Sequence, residues 1–239
     1  MKKKPDIKIL YVGSFQGPSN AWRRKERLKS MGYEVREMNT SKLGLVEWQL
    51  VRRLIIRFSK PIFIGLLERI LLRIVKREKP ELIFFEKSQW LKPSAIKRVR
   101  AAGPQDMILA HYNPDEFFRS GNPNKWGYFL EAIPYYDVHF IPKPLNVKDY
   151  KKYGGRNIFV FDRSYDPSFH RPVKLTEEEK KRFGCLVGFI GKWAPHREAV
   201  IAELIQNGIK VTVWGNGWYR GEHWKVIQPH WRGTAQYGE

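Results

Sequence analysis

Two glycine-bearing segments carry residue types that could hold a phosphate. Gly191-Lys192-Trp193-Ala194-Pro195-His196-Arg197 lies between an apolar run, Leu186–Ile190, and a helical pattern, Arg197–Gln206. A turn of that kind presents backbone N–H groups at a helix N-terminus, where anions bind. Lys192 and Arg197 add two cations, which suits a diphosphate. The alternative is an arginine that caps or salt-bridges its own helix. Gly13-Ser14-Phe15-Gln16-Gly17 occupies the same kind of place after the first apolar run, Ile7–Val12. Its spacing is neither the dinucleotide fingerprint nor a P-loop. Either Gly13, Ser14 and Gly17 approach a ligand closely, as glycine permits, or the segment is only a tight connection.

His111 and Asp115 are the candidates for proton chemistry. The run Met107-Ile108-Leu109-Ala110 reads as a strand ending at His111-Tyr112-Asn113-Pro114-Asp115, and ligands of open α/β sheets collect at strand C-termini. A histidine there can bind a substrate hydroxyl or act as a general base; it can equally be satisfied by a loop carbonyl. Asp115 either binds a polar substrate or caps a helix. His139, His170, His196, His223 and His230 have no zinc-ligand spacing, so no metal is expected, and no serine nucleophile elbow is present. Trp214, Trp218, Trp224 and Trp231 fall within 18 residues. They stack on sugars or bases, or they pack a core.

The elements that must position these residues alternate. Strand-like Ile7–Val12 is followed by a charged helix from about Asn20 to Met31, with Ser19 or Asn20 as N-cap and Gly32 as the stop, then by strand 33–38. This is a βαβ unit. The amphipathic stretch Leu45–Lys79 reads as one or two helices, with Pro61 interrupting the run. Strand 82–85, helix 93–101, strand 107–110, a helix around 125–133, strand 138–141, helix 146–153 and strand 158–161 follow. Such alternation indicates a doubly wound parallel sheet. Turn-rich Asp162–Thr176 reads as linker, and a second α/β cycle begins near residue 184. The expected organisation is a Rossmann-like domain over 1–162, a linker over 163–183 and a partial second Rossmann-like domain over 184–239.

Of 239 residues, 42% are hydrophobic and 14% aromatic, which supports a packed core and excludes wholesale disorder. The formal net charge is +20. Residues 51–100 carry 14 Lys/Arg against 4 Asp/Glu, a patch that attracts polyanions or anionic lipid, or that serves only as a solvated face. No apolar run reaches the roughly 18 residues of a membrane span. The single cysteine, Cys185, rules out an internal disulfide and fits a reducing compartment. No nucleic-acid-binding signature accompanies the charge.

One stretch is more specific. Lys143-Pro144-Leu145-Asn146-Val147-Lys148-Asp149-Tyr150, Gly154-Gly155-Arg156-Asn157 and Tyr165-Asp166-Pro167-Ser168-Phe169-His170-Arg171-Pro172 are followed by Gly188-Phe189-Ile190-Gly191, Arg197 and Val213-Trp214-Gly215-Asn216-Gly217-Trp218. This order resembles the CgeB-like, spore-maturation type, glycosyltransferases. Upstream, Asn113-Pro114-Asp115 and Tyr136-Asp137 sit where such proteins carry comparable turns. The resemblance implies a GT-B arrangement and transfer of a sugar from a nucleotide sugar to an acceptor in the interdomain cleft, with no cofactor. It implies that Gly191, Lys192 and Arg197 lie near the donor diphosphate, that Gly215 and Asn216 border the nucleotide, and that Gly13, Ser14, His111 and Asp115 line the acceptor side. Members of that family continue past the Trp218 region through a donor-binding Arg/Glu segment that is missing before Glu239, so the donor half is expected to be incomplete. The alternative is a catalytically incomplete relative that binds an anionic membrane or polyanion through residues 51–100. A cytoplasmic location with peripheral membrane contact fits either.

Overall fold

The computed structural model describes residues 7–15, 19–41, 49–115, 118, 127–161 and 165–234, with the backbone alone for 49–60. The chain divides into two compact units, Met1–Asp166 and Pro167–Glu239.

Unit 1 is built on six parallel strands: β1 (Lys8–Gly13), β2 (Glu34–Asn39), β3 (Leu82–Glu86), β4 (Ile108–Tyr112), β5 (Val138–Ile141) and β6 (Ile158–Val160). Their spatial order is β2-β1-β3-β4-β5-β6, so the chain steps one way from β1 to β2 and then reverses past β1. Right-handed crossovers therefore put the first helix on one face and the later ones on the other. Helix α1 (Asn20–Ser30) covers Tyr11 and Phe84 on its face. Helices α2 (Gln49–Glu78), α3 (Pro93–Ala102), α4 (Gly127–Ala132) and α5 (Val147–Lys152) enclose the main core on the opposite face. There Leu67, Leu71 and Val75 of α2 meet Leu10, Val12, Ile83 and Phe85, each side chain contributing about 2 kcal/mol of burial. Ile108 of β4 and Phe159 of the edge strand β6, on the α1 face, are exposed.

Local chemistry matches these elements. Ser19 caps α1 by accepting the Trp22 N–H at 3.3 Å, and Arg27 and Lys29 complement the dipole of its last turn. Pro61 lies inside α2 without dividing it. A proline there forfeits one backbone hydrogen bond at about 3 kcal/mol, less than the helix regains by burying its inner face.

Unit 2 has helix α6 (Glu177–Phe183), strands β7 (Val187–Ile190) and β8 (Val211–Trp214) in parallel, the crossover helix α7 (Pro195–Gln206) and the short α8 (Trp224–Ile227). A reciprocal capping box starts α6: Glu179 N–H donates to Thr176 Oγ1 at 3.2 Å, and Thr176 N–H to Glu179 Oε2 at 2.8 Å. The core of this unit is Ile201, Ala202, Val211, Val213, Trp218 and Ile227. One sheet face is packed, while Leu186 and Ile190 remain exposed. Two strands cannot bury both faces. Residues 224–230, without clear periodicity, form short turns that bring Trp231 beside Val213.

Candidate functional site

In unit 1 the reversal of chain direction falls between β1 and β3, and the C-terminal edge of a sheet at such a switch point is where ligands of open α/β folds collect. Gly13 closes β1, and a Cβ there would sit 3.5 Å from the Glu86 side chain and from the Phe15 ring. Ser14 beside it is exposed; Gly17 lies outside the described residues. Glu86 ends β3 and is buried. It accepts a hydrogen bond from Tyr11 Oη at 2.6 Å and pairs with the Arg24 guanidinium of α1, with Arg24 Nε at 3.2 Å. Burial and the adjacent carboxylate push the Tyr11 phenol far up, so it stays a neutral donor. Burial alone would lower the Arg24 pKa, but the Glu86 hydrogen bonds and charge raise it. Its guanidinium lies 4.7 Å from the centre of the Tyr112 ring, a cation–π contact.

Lys87, next after Glu86, takes the left-handed conformation (φ 54°) while its N–H donates to Tyr112 O at 3.1 Å. Such a backbone costs a lysine about 1 kcal/mol and recurs at functional turns. The bend directs Lys87 Nζ to Asp115 at 3.1 Å. Asp115 is held by its own N–H, which donates to Asn113 Oδ1 at 3.1 Å. It is exposed, and among the described residues it caps no helix.

The expectation for His111 is corrected. Strand β4 runs on through Tyr112, two residues past the reading from sequence, so His111 is an in-strand residue whose side chain points to the α2–α5 face. The ring is fully buried, 4.4 Å from Phe129 and 4.9 Å from Tyr136 between ring centres. Neither ring nitrogen has a hydrogen-bond partner among the described residues. Burial, with His139 nearby, holds its pKa well below the ordinary histidine value. In this position it cannot touch a ligand.

In unit 2 the two strand ends form a second edge. Gly191 N–H donates to Trp214 O at 2.9 Å and Trp193 N–H to Asn216 O at 2.9 Å, which ties the turns after β7 and β8 together. A Cβ on Gly215, whose φ is 135°, would lie 1.9 Å from Gly191 O, so only glycine fits. Arg197 Nη1 donates to Lys192 O at 2.8 Å, folding the guanidinium back over the turn, and a Gly191 Cβ would come 3.5 Å from it. Lys192 and Asn216 are exposed. Gly191, Lys192, Arg197, Gly215 and Asn216 are thus brought together.

The tryptophans are struts for these turns. Trp218 is buried and donates to Gly191 O at 3.0 Å, and Trp231 donates to Gly215 O at 2.9 Å. Glu198, which sequence reasoning missed, is buried and accepts from Trp193 Nε1 at 2.7 Å and from His223 N at 2.5 Å. Glu86, Arg24 and Lys87 were missed as well. The available signal was a single charge closing the otherwise apolar strand Leu82-Ile83-Phe84-Phe85-Glu86.

No protein-family model matches the sequence, and no curated protein matches it. Solved structures do. The chain is similar to Alr3699/HepE from Anabaena, a structure in complex with UDP and glucose, at TM-score 0.57 and 11% identity over 96% of this chain and 70% of that one. It is also similar to a putative UDP-N-acetylglucosamine 2-epimerase from Listeria monocytogenes, at TM-score 0.54 and 9% identity over 98% and 70%. The likeness shows a GT-B-like α/β fold of Rossmann-like units.

Proposed function

We propose that the chain is a glycosyltransferase that takes its sugar from a nucleotide sugar. The reading rests on one observation above the others: the turn after β7 gathers the Gly191 backbone, Lys192 and the folded-back Arg197 beside Gly215 and Asn216. Two cations and close backbone approach are what a leaving diphosphate requires, because charge builds on it as the bond to the anomeric carbon breaks. The similarity to a structure holding UDP and glucose supports the same reading.

On the acceptor side, the switch point of unit 1 supplies Asp115, Lys87, Ser14 and Arg24. In glycosyl transfer an acceptor hydroxyl attacks the anomeric carbon as the nucleoside diphosphate leaves; within unit 1 the Asp115 carboxylate is the group able to take the hydroxyl proton, and within unit 2 Lys192 and Arg197 are the groups able to receive the departing diphosphate. Lys87 orients Asp115 through the 3.1 Å ion pair. The pattern over residues 143–219 supports placement with the CgeB-like enzymes, and the single cysteine supports a cytoplasmic setting.

The test is calorimetric titration of the whole chain with UDP, GDP, dTDP and their sugars. Saturable binding of one nucleotide series, lost on substitution of Lys192 and Arg197 together, supports the reading. Failure of every series to bind removes it.

A further inference from the structure

We propose that the outward face of α2 docks on an anionic membrane surface. Ile62, Leu66, Arg69, Arg73 and Lys76 are all exposed, and their spacing of four, three, four and three places them in one stripe. The opposite side of the helix, Ile64, Leu67, Leu71 and Val75, is buried. At about 1.5 Å per residue the stripe is roughly 21 Å long. Its two ends differ: Ile62 and Leu66 are 72% and 46% exposed, whereas the following turns are cationic.

Among the described residues nothing neutralises those cations. Arg69, Arg73 and Lys76 have no ion pair among the described residues. Glu68 is taken by Arg98 at 2.9 Å, and Glu78 by Arg77 at 2.7 Å and Arg36 at 3.8 Å. Arg69, Leu72, Arg73, Lys76 and Arg77 line a shallow depression of about 550 Å³, open to anionic groups. No helix among the described residues is long and apolar enough to cross a membrane, so α2 would lie in the headgroup plane. There apolar side chains insert while lysines and arginines meet lipid phosphates.

The chemistry favours lipid over nucleic acid. A nucleic acid would engage the cations but has no use for exposed Ile62 and Leu66, and the stripe between residues 62 and 76 offers no aromatic ring for base stacking. A bilayer uses both ends. The proposal does not depend on the sugar-transfer reading.

The test is co-sedimentation of the full chain with vesicles of about 30% phosphatidylglycerol in phosphatidylcholine, against phosphatidylcholine alone. The chain should bind the anionic vesicles and release as salt rises from about 50 to about 500 mM. Arg69→Gln/Arg73→Gln/Lys76→Gln should weaken binding about a hundredfold, at about fivefold per cation, with unchanged thermal melting and unchanged nucleotide titration. Ile62→Ser/Leu66→Ser should remove the part of the binding that survives high salt. Equal partition to both vesicle types overturns the proposal, as does full retention by the triple variant. Binding of a single-stranded RNA through these cations without vesicle binding, or a dimer that forms through this face and excludes vesicles, also overturns it.

Discussion

Arg24 of α1 and Glu86 at the end of β3 form an ion pair with the Glu86 side chain only 4% exposed and that of Arg24 33% exposed. The pair joins α1 to the strand that follows the reversal of chain direction, at the mouth of the proposed acceptor site. Tyr11 completes the coordination of the carboxylate. Desolvating a carboxylate is expensive unless every oxygen is occupied, and here both oxygens have donors.

The asymmetry of that pair gives a stability prediction. Arg24→Leu leaves a buried carboxylate with Tyr11 alone and should cost about 3 kcal/mol. Glu86→Leu leaves an arginine that can turn toward water, at about 1–2 kcal/mol. Urea unfolding of both variants decides; the reverse order would show that Arg24 is the dependent partner.

Donor binding should respond to the cations of the β7 turn. Lys192→Ala and Arg197→Ala should each weaken binding of the preferred nucleotide about tenfold, roughly 1.4 kcal/mol. Because Lys192 is exposed and Arg197 partly so, melting temperatures should move little. Unchanged affinity in both variants would falsify the diphosphate assignment.

Asp115→Asn should lower kcat by about 10²–10⁴ while nucleotide affinity stays as it was. His111→Phe should leave turnover intact, since its ring lies among Phe129 and Tyr136. Steady-state kinetics with the acceptor separate the two. A large loss in His111→Phe without loss of fold would return that histidine to the reaction.

Acid should destabilise unit 1. Burial pushes His139 down to about 4, against the ordinary value of 6.5, with a 3.0 Å contact to Ile133 O opposing in part; His111 is lowered as well. Above about 6.5 neither the folded nor the unfolded state holds the His139 proton, and stability is flat. Between about 6.5 and 4 the unfolded chain binds a proton that the native state refuses, so stability falls as pH falls, by on the order of 3 kcal/mol for His139. Urea midpoints from pH 7.5 to 4 should show this slope, and His139→Phe should make it shallower, leaving the part that His111 contributes. An equal slope in that variant would place the effect elsewhere.

Gly215→Ala should cost at least about 3 kcal/mol in unit 2, because the new Cβ meets Gly191 O at 1.9 Å where the backbone already has φ 135°. Gly208→Ala, with open space around it but φ 81°, should cost about 1 kcal/mol. Limited proteolysis of residues 184–239 compares the two, and similar protection in both would refute the close approach of the turns.

Much of this molecule is local and therefore readable in the chain. The alternation of strand-like runs with capped helices indicated the six strands of unit 1 and the start of a second α/β cycle, because a packed sheet face demands apolar strand positions and each crossover demands a helix. The clustering of Lys192 and Arg197 on one turn was equally local. Tertiary structure decided what depends on register and on pairing across distance. Two extra residues in β4 turned His111 from the strand end into the core, since successive side chains point to opposite faces. The union of Arg24 with Glu86, 62 positions apart, and of Gly215 with Gly191 exists only once non-adjacent segments meet, and no periodicity in a linear sequence records which distant residues will do so.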